Sequence, residues 1–325
     1  MRLRVAVLYG GRSGEHEISL RSAESIVAGL DPERYEVQRI LIDREGRWQP
    51  RAISPEPGAN PGIDVVFPVL HGTFGEDGTV QGLLELAGLP YVGAAVLASA
   101  VSMDKHITKR LLAERGLPVA EYFIATRGHY NVDEVCRRLP FPLFVKPANL
   151  GSSVGISKVK NCAEMKRALA LAAEYDRKII VERGIEGREF ECSVLGNENP
   201  VAAVPCEILP SREFYDYEDK YLLNAAKTVL PAPLAPEQRE EIRRLAVECY
   251  QAVDCEGMAR VDFLMEAATG KIYINEINTI PGFTSISMYP KMWEAAGVPF
   301  GTLLDKLIDL ALARHRTRQA TKYVR

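Results

Sequence analysis

Gly257-Met-Ala-Arg-Val-Asp262 and, across a short turn, Tyr273-Ile-Asn-Glu-Ile-Asn-Thr-Ile-Pro-Gly282 are the two stretches whose reading decides the fold. Each is an apolar run with acids and amides at alternate positions, the period of a β-strand. Glu276 and Asn278 stand two apart and therefore share one face of their strand. If Asp262 lies on the neighbouring strand, it brings a third oxygen donor to the same point. Hard oxygen ligands on a rigid sheet suit a magnesium ion bridging nucleotide phosphates. Arg260 shares the face of Asp262 and can meet developing negative charge. An amphipathic hairpin with one wetted face has the same pattern, so these strands alone leave both readings open.

The rest of the 325-residue chain sets the context. It is 47% hydrophobic and 26% charged, an ordinary globular composition. Its length suits two or three domains around separate cores. A formal net charge of -3 gives no reason to expect a nucleic-acid or membrane surface. No apolar run approaches the roughly 20 residues of a membrane span. The opening Met1-Arg-Leu-Arg-Val-Ala-Val-Leu-Tyr-Gly10 is too short in its apolar part for a signal segment and reads as a first strand. Cys136, Cys162, Cys192, Cys206, Cys249 and Cys255 include no CxxC pair. They predict buried free thiols in a reducing cytoplasm, with neither a zinc site nor a disulfide framework. No two of the five histidines have metal-ligand spacing.

Strands and helices alternate through the first third. Strands are expected over 5–9, 37–42 and 65–69, with helices over 18–30 and 80–87. This rhythm predicts an open parallel sheet with helices packed on it. The pattern changes around residues 94–105. A helix over 106–115, strands over 141–146 and 154–159, a helix over 163–175 and a strand over 178–182 then form a small α/β unit. Antiparallel strands follow over 189–195 and 201–208, then an aperiodic polar and aromatic segment over 211–224. A helix over 236–253, the two opening strands and two closing helices complete the chain. The basic tail, 314–325, reads as a frayed helix end.

Lys146-Pro-Ala-Asn-Leu-Gly-Ser-Ser-Val-Gly155 lies between two expected strands. Its free N–H groups, with the hydroxyls of Ser152 and Ser153, can cradle phosphate oxygens. It lacks the Gly-Lys-Ser/Thr ending of a Walker loop, and a strand rather than a helix follows. A plain glycine-serine hairpin is the competing reading, and Lys146 at the strand end favours phosphate. Lys105, after Met103-Asp104, is a second candidate cation, although alone it reads as a solvated surface charge.

These residues, taken in order, carry a resemblance. The chain resembles the D-alanine–D-alanine ligases of the ATP-grasp superfamily over nearly its whole length. The matching motifs are Gly10-Gly-Arg-Ser-Gly-Glu-His-Glu-Ile-Ser19, His71-Gly-Thr-Phe-Gly-Glu-Asp-Gly-Thr79, Met103-Asp-Lys105, the Lys146–Gly155 loop, Phe214-Tyr-Asp-Tyr-Glu-Asp-Lys-Tyr221, Arg260-Val-Asp262 and Asn275-Glu-Ile-Asn-Thr-Ile-Pro-Gly-Phe-Thr-Ser285. The resemblance implies an α/β (α+β) three-domain ATP-grasp fold with an N-terminal open parallel-sheet domain. The expected boundaries are an N-terminal substrate domain over 1–100, a central ATP-grasp subdomain over 101–184 and a C-terminal catalytic domain over 185–325. It also implies ATP-dependent joining of two D-alanines through a D-alanyl phosphate, for peptidoglycan precursor synthesis in a bacterial cytoplasm. Family members are commonly dimers, so a homodimer is expected.

Site roles follow from the resemblance, residue by residue. Asp262, Glu276 and Asn278 resemble ligands of two Mg2+ ions, for which Mn2+ can substitute. Lys105, Lys146, Ser152 and Ser153 resemble the phosphate holders of ATP, and Lys220 the lysine that meets the transferred phosphate. Adenosine falls on Glu182, the backbone of Arg183 and Ile185, and Glu189; Phe214 and Leu264 fall on the nucleotide site. Arg260 and the Gly282 N–H fall on the oxyanion of the tetrahedral intermediate. Glu15 and His71 fall on the first D-alanine, with Glu15, Ser152 and Tyr221 forming a network across the domains. Ser287 and the backbone of Met288 fall on the carboxylate of the second D-alanine, at a helix start that suits an anion. Segment 211–224 is expected to act as a lid. A D-alanine–D-lactate ligase is the nearest alternative, disfavoured by Tyr221. A non-catalytic nucleotide-binding paralogue would be expected to lose metal ligands or Arg260, and all are present.

Overall fold

The computed structural model describes residues 2–151, 154–209 and 227–322. Three sheets organise them. The first is built on β1 (Leu3–Gly10), whose interior residues Val5–Leu8 are fully buried. It runs parallel to β2 (Tyr35–Ile42) and to β4 (Val65–Val69), and β3 (Trp48–Gln49) adds an antiparallel edge. This is the expected parallel sheet; the two-residue β3 was not foreseen. Helix α1 (His16–Gly29) covers one side. Helix α2 (Thr79–Leu86) leads to α3 (Val96–Met103), where the sequence had shown only a change of pattern.

The second sheet is antiparallel, in the order β5-β8-β6-β7. It comprises β5 (Tyr122–Thr126), β6 (Leu143–Pro147), β7 (Ser157–Val159) and β8 (Lys178–Arg183). Helices α5 (Val132–Arg138) and α6 (Cys162–Tyr175) pack on it and close a core of its own around Leu143, Val145, Leu169 and Val181. Helix α4 (Lys105–Glu114) enters this region, its first turn capped by Asp104, which accepts from the N–H groups of His106 and Ile107. Strand β5 and helix α5 were not foreseen. The cysteine expectation also needs correction. Cys136 of α5 and Cys162 at the start of α6 form a disulfide, while Cys192, Cys206, Cys249 and Cys255 are free and buried. The two partners lie 26 residues apart, and only the packing of α5 on α6 brings them together.

The third sheet has the order β12-β11-β9-β13-β14, with β10 paired to β9. Its strands are β9 (Gly187–Gly196), β10 (Val201–Ala202), β11 (Cys206–Leu209), β12 (Lys227–Val229), β13 (Gly257–Glu266) and β14 (Ile272–Asn278). Helix α7 (Pro236–Ala252) backs this sheet, and α8 (Met288–Ala295) and α9 (Phe300–Gln319) follow. One hydrophobic core joins the first and third sheets: Val5, Val7 and Phe67 pack with Met258, Phe283, Tyr289 and Leu304. The frayed-tail expectation fails. Helix α9 continues to Gln319, and Arg314 is buried, donating to the carbonyls of Tyr91 and Gly93.

Candidate active site

The site is built on the register of β13 and β14. Asp262 lies directly opposite Glu276, and Arg260 opposite Asn278, after which a bulge shifts the register between Asp262 and Phe263. On the other side, Glu191 of β9 stands opposite Asp262, and Glu189 opposite Leu264. Directly paired residues share a face, so Glu189, Glu191, Arg260, Asp262, Glu276 and Asn278 form one polar surface across three strands. The residues between them, Val261, Phe263 and Ile277, are buried beneath it. The wetted face foreseen for this hairpin is thus the surface that gathers the candidate ligands.

Arg260 organises that surface. Its Nε and Nη2 donate to the two oxygens of Asp262 at 2.7 and 2.6 Å, and Glu191 lies 3.4 Å away. Burial opposes the guanidinium charge, but Asp262 and Glu191 outweigh it and hold the pKa above its ordinary value. Asn278 Nδ2 also donates to Asp262, at 3.3 Å. Two carboxylates and one amide carbonyl in register are a hard oxygen donor set. It suits Mg2+, which is usually held by one or two carboxylates together with substrate phosphates rather than by an all-protein cage. No three acidic, histidine or cysteine side chains among the described residues form a cage by themselves.

Lys105, on α4, reaches the same surface, while Lys146 on the second sheet pairs with Glu182. The Asp104 cap fixes the start of α4. Lys105 then hydrogen-bonds through its N–H to Ala148 O (2.9 Å) and through Nζ to Leu150 O (2.7 Å), which ties the helix to the glycine-rich loop. Lys105 Nζ is 3.6 Å from Glu276, so the two grips meet at that carboxylate. Lys146, near the end of β6, donates to Glu182 Oε2 at 3.0 Å. Burial pushes the Glu182 carboxyl up, but Lys109 and Lys146 outweigh it and hold the pKa below its ordinary value. Ile185, Ala120 and Tyr273 form an apolar patch with Leu264 against it. Arg183 is held beside this patch by Glu266 (2.8 Å) and the Tyr273 hydroxyl (3.0 Å).

A cavity of about 760 Å³ opens between the first and third sheets. Glu15, His71, Arg260, Gly282, Ser287 and Met288 all line it, together with Glu276 and Asn278. Glu15 occupies the N-cap position of α1, but its side chain makes no capping hydrogen bond. Gly72 explains how close the loops approach: it has φ +73°, and a Cβ there would sit 2.8 Å from Glu15 Oε2.

Three residues near the first sheet hold the turn that carries Gly282. Glu76 accepts from Gly72 N–H (2.7 Å) and from Ile280 N–H (3.1 Å). Ser22 Oγ accepts from Phe283 N–H (3.2 Å). His71 Nδ1 lies 3.0 Å from Ile280 O and its Nε2 3.3 Å from Ser22 Oγ. The carbonyl partner assigns the ring proton to Nδ1, leaving Nε2 to accept from Ser22. Burial drives the His71 pKa down, in keeping with a neutral ring, although Glu15 and the Ile280 carbonyl pull the other way. Burial, then the charge of Glu15, pushes the Glu76 carboxyl up to about 8. Sequence reasoning assigned no role to Glu76, Ser22, Glu191 or Lys109. Glu76 lies inside a quoted motif, and Glu191 continues the alternation begun by Glu189, so those two signals were present. Ser152, Ser153, Phe214, Lys220 and Tyr221, and the expected lid over 211–224, lie outside the described residues.

A mostly parallel sheet beside two antiparallel sheets, with lysines on one and an acidic hairpin on the other, defines an ATP-grasp enzyme. Sequence models described as the D-ala D-ala ligase N-terminus and C-terminus match residues 4–60 and 49–94, and residues 111–309. The chain belongs to the D-ala D-ala ligase family. It is 69% identical over 325 residues to a D-alanine--D-alanine ligase of Solibacter usitatus, covering 100% of both chains. It is 50% identical to a D-alanine--D-alanine ligase of a Thermoanaerobacter species, covering 97% of this chain and 98% of the relative. The solved structure of the D-alanine-D-alanine ligase from Coxiella burnetii matches with a TM-score of 0.89 at 42% identity, over 98% of this chain and 96% of that one. The VanG D-Ala:D-Ser ligase of Enterococcus faecalis matches with a TM-score of 0.87 at 37% identity, over 96% and 100%.

Proposed function

We propose that this chain joins two D-alanines into D-alanyl-D-alanine at the expense of ATP, as a step in making peptidoglycan precursors. The observation that carries this reading is the β13–β14 register, which sets Asp262 beside Glu276 and Arg260 beside Asn278 on one polar face, three of these four residues lining the cavity. In the first step a carboxylate oxygen of one D-alanine attacks the γ-phosphorus of ATP, giving D-alanyl phosphate and ADP. In the second, the amine of the other D-alanine attacks the acyl carbon. The tetrahedral intermediate then collapses, releasing phosphate and the dipeptide.

The first step brings anions together and the second builds an oxyanion, so placed cations and N–H donors supply most of the catalysis. Bound magnesium ions would screen the nucleotide phosphates from the attacking carboxylate, with Asp262, Glu276 and Asn278 as their protein ligands; Mn2+ would substitute. Lys105, Lys146, Ser152, Ser153 and Lys220 hold phosphates in this reading. Glu182, Arg183, Ile185 and Glu189 take the adenosine, with Phe214 and Leu264 also in the nucleotide site. Glu15 and His71 orient the first D-alanine, with Ser152 and Tyr221 completing the Glu15 network. A neutral His71 adds no positive charge beside the ammonium that Glu15 receives. Arg260 and the Gly282 N–H meet the oxyanion, a donor of this kind being worth about 3 kcal/mol. Ser287 and the Met288 N–H take the second carboxylate at the start of α8.

The domain division 1–100, 101–184 and 185–325 suits this work, because ATP then lies between the second and third sheets. No described helix is long and apolar enough to cross a membrane. In this reading the enzyme works in the cytoplasm, where it would supply the peptidoglycan precursor. Leu86 and Leu97, 66% and 59% exposed on α2 and α3, offer an apolar face for a homodimer. The decisive experiment measures phosphate release from ATP with D-alanine, D-serine or D-lactate as second substrate, and identifies the product. The expected result is D-alanine-dependent release with the dipeptide as product. A depsipeptide product, or no D-alanine-dependent release, would overturn the reading.

A further inference from the structure

Lys109 is the most deeply buried cation of the second sheet's site, and the chemistry above leaves it without a task. It sits one helical turn after Lys105 on α4, on the same face. Its side chain is 2% exposed. An ammonium is seldom buried so completely unless it is paired. Its Nζ lies 3.5 Å from Glu182 Oε1, while Lys146 donates to the other oxygen, Oε2, at 3.0 Å. Glu182 is itself 3% exposed. One buried carboxylate thus stands between two ammonium groups of different freedom: the Lys146 side chain keeps 12% exposure.

We propose that Lys109 is a positioning residue of the nucleotide site, the permanent counter-ion of Glu182, whose presence releases Lys146 to hold phosphate. The proposal rests on the reading above, in which Lys146 binds ATP phosphates and Glu182 meets the adenine. A Lys146 ammonium that turns to a phosphate gives up part of its hold on Glu182. A buried carboxylate stripped of its partner is costly, so Glu182 alone would pull Lys146 back. Lys109 on Oε1 removes that competition. It also keeps Glu182 charged and oriented, as an acceptor for an amino group requires. Lys109 reaches no substrate in this account and acts only through Glu182 and Lys146.

The test is the gain in affinity that phosphates confer, measured as the ratio of the dissociation constants of adenosine and Mg2+-ADP by calorimetry. Four proteins form a cycle: wild type, Lys109→Met, Glu182→Gln and the double variant, with Lys146→Met as a control. Lys109→Met is expected to shrink the ratio by about tenfold, the worth of a charge-assisted contact. A purely structural lesion would weaken both ligands alike and leave the ratio unchanged. In the Glu182→Gln background the same substitution is expected to leave the ratio unaltered, because Lys146 then has no buried competitor. Removing both members of a buried pair is also tolerated far better than removing one, so this arm remains measurable if Lys109→Met does not fold. An unchanged ratio in Lys109→Met, or an equal loss in the Glu182→Gln background, would overturn the proposal while leaving the ligase reading intact. An unchanged ratio in Lys146→Met would overturn the phosphate role of Lys146, and the proposal with it.

Discussion

Replacing Arg260 by glutamine separates two jobs that one side chain performs. Arg260 holds both oxygens of Asp262 at 2.7 and 2.6 Å and lies 3.4 Å from Glu191, with 17% of its side chain exposed. Its removal leaves Asp262, Glu191 and Glu276 on one face without a guanidinium among them. Deleting one partner of a buried pair costs about 3–5 kcal/mol, and the residual exposure puts this case near the lower bound, about 3 kcal/mol. In a chain of this size that lowers the melting temperature by several degrees. Loss of the oxyanion donor should remove a further 3 kcal/mol or so from the transition state, about 10²-fold in kcat. The two losses respond differently to metal. Mg2+ with ADP places cations among these carboxylates and should recover much of the stability by linkage, but not the rate. Thermal unfolding with and without Mg2+-ADP, beside steady-state phosphate release, reads both. A kcat within about threefold of wild type, or a melting loss that Mg2+-ADP leaves untouched, would refute the reasoning.

Glu76→Gln sets an NH2 group against an N–H donor, either Gly72 or Ile280, and should loosen the Gly282 turn, lowering kcat more than it raises the KM for ATP. The Glu76 pKa is raised from 4.5 to about 8, so the folded protein binds the extra proton between those values. This contribution to stability is therefore complete below about pH 4.5 and is lost as pH rises through 8. Urea midpoints over this range should fall less steeply for Glu76→Gln than for wild type; parallel curves would contradict it. Gly282→Ala places a Cβ 2.6 Å from Ser287 Oγ and should raise the KM for the second D-alanine with little change in stability, as steady-state assays at fixed first-site saturation would report. Arg314→Met strands the carbonyls of Tyr91 and Gly93. It should cost about 2–4 kcal/mol in urea unfolding while kcat stays near wild type.

Local patterns made much of the fold legible. The run Val65–Val69 is buried at every residue, and its strand appears with the expected bounds. The alternating acids of β13 and β14 likewise announced a polar face over an apolar one. What stayed hidden depends on distant neighbours. Sequence alone does not fix strand register, and the bulge after Asp262 could not be inferred from either strand. Helix α3, Val-Leu-Ala-Ser-Ala-Val-Ser-Met, lacks the charged face that marks a surface helix, even though Leu97 is exposed. Arg314 looked like a solvated tail charge, yet its donors find the carbonyls of Tyr91 and Gly93. Lys109 looked equally ordinary, one basic residue in a polar helix, until α4 packed it against Glu182. Cys136 and Cys162 became partners only through the docking of α5 on α6.

The central claim is that the β13–β14 face carries the metal that makes phosphoryl transfer possible. Titrating Mn2+ in the presence of ADP, with the free ion counted by electron paramagnetic resonance, tests it directly in wild type and Glu276→Gln. The account predicts two bound ions in wild type and weakened binding in the variant, since Glu276 would be one of their three protein ligands, with unfolding in the absence of ligand little changed. Two ions bound with unaltered affinity in Glu276→Gln would contradict it.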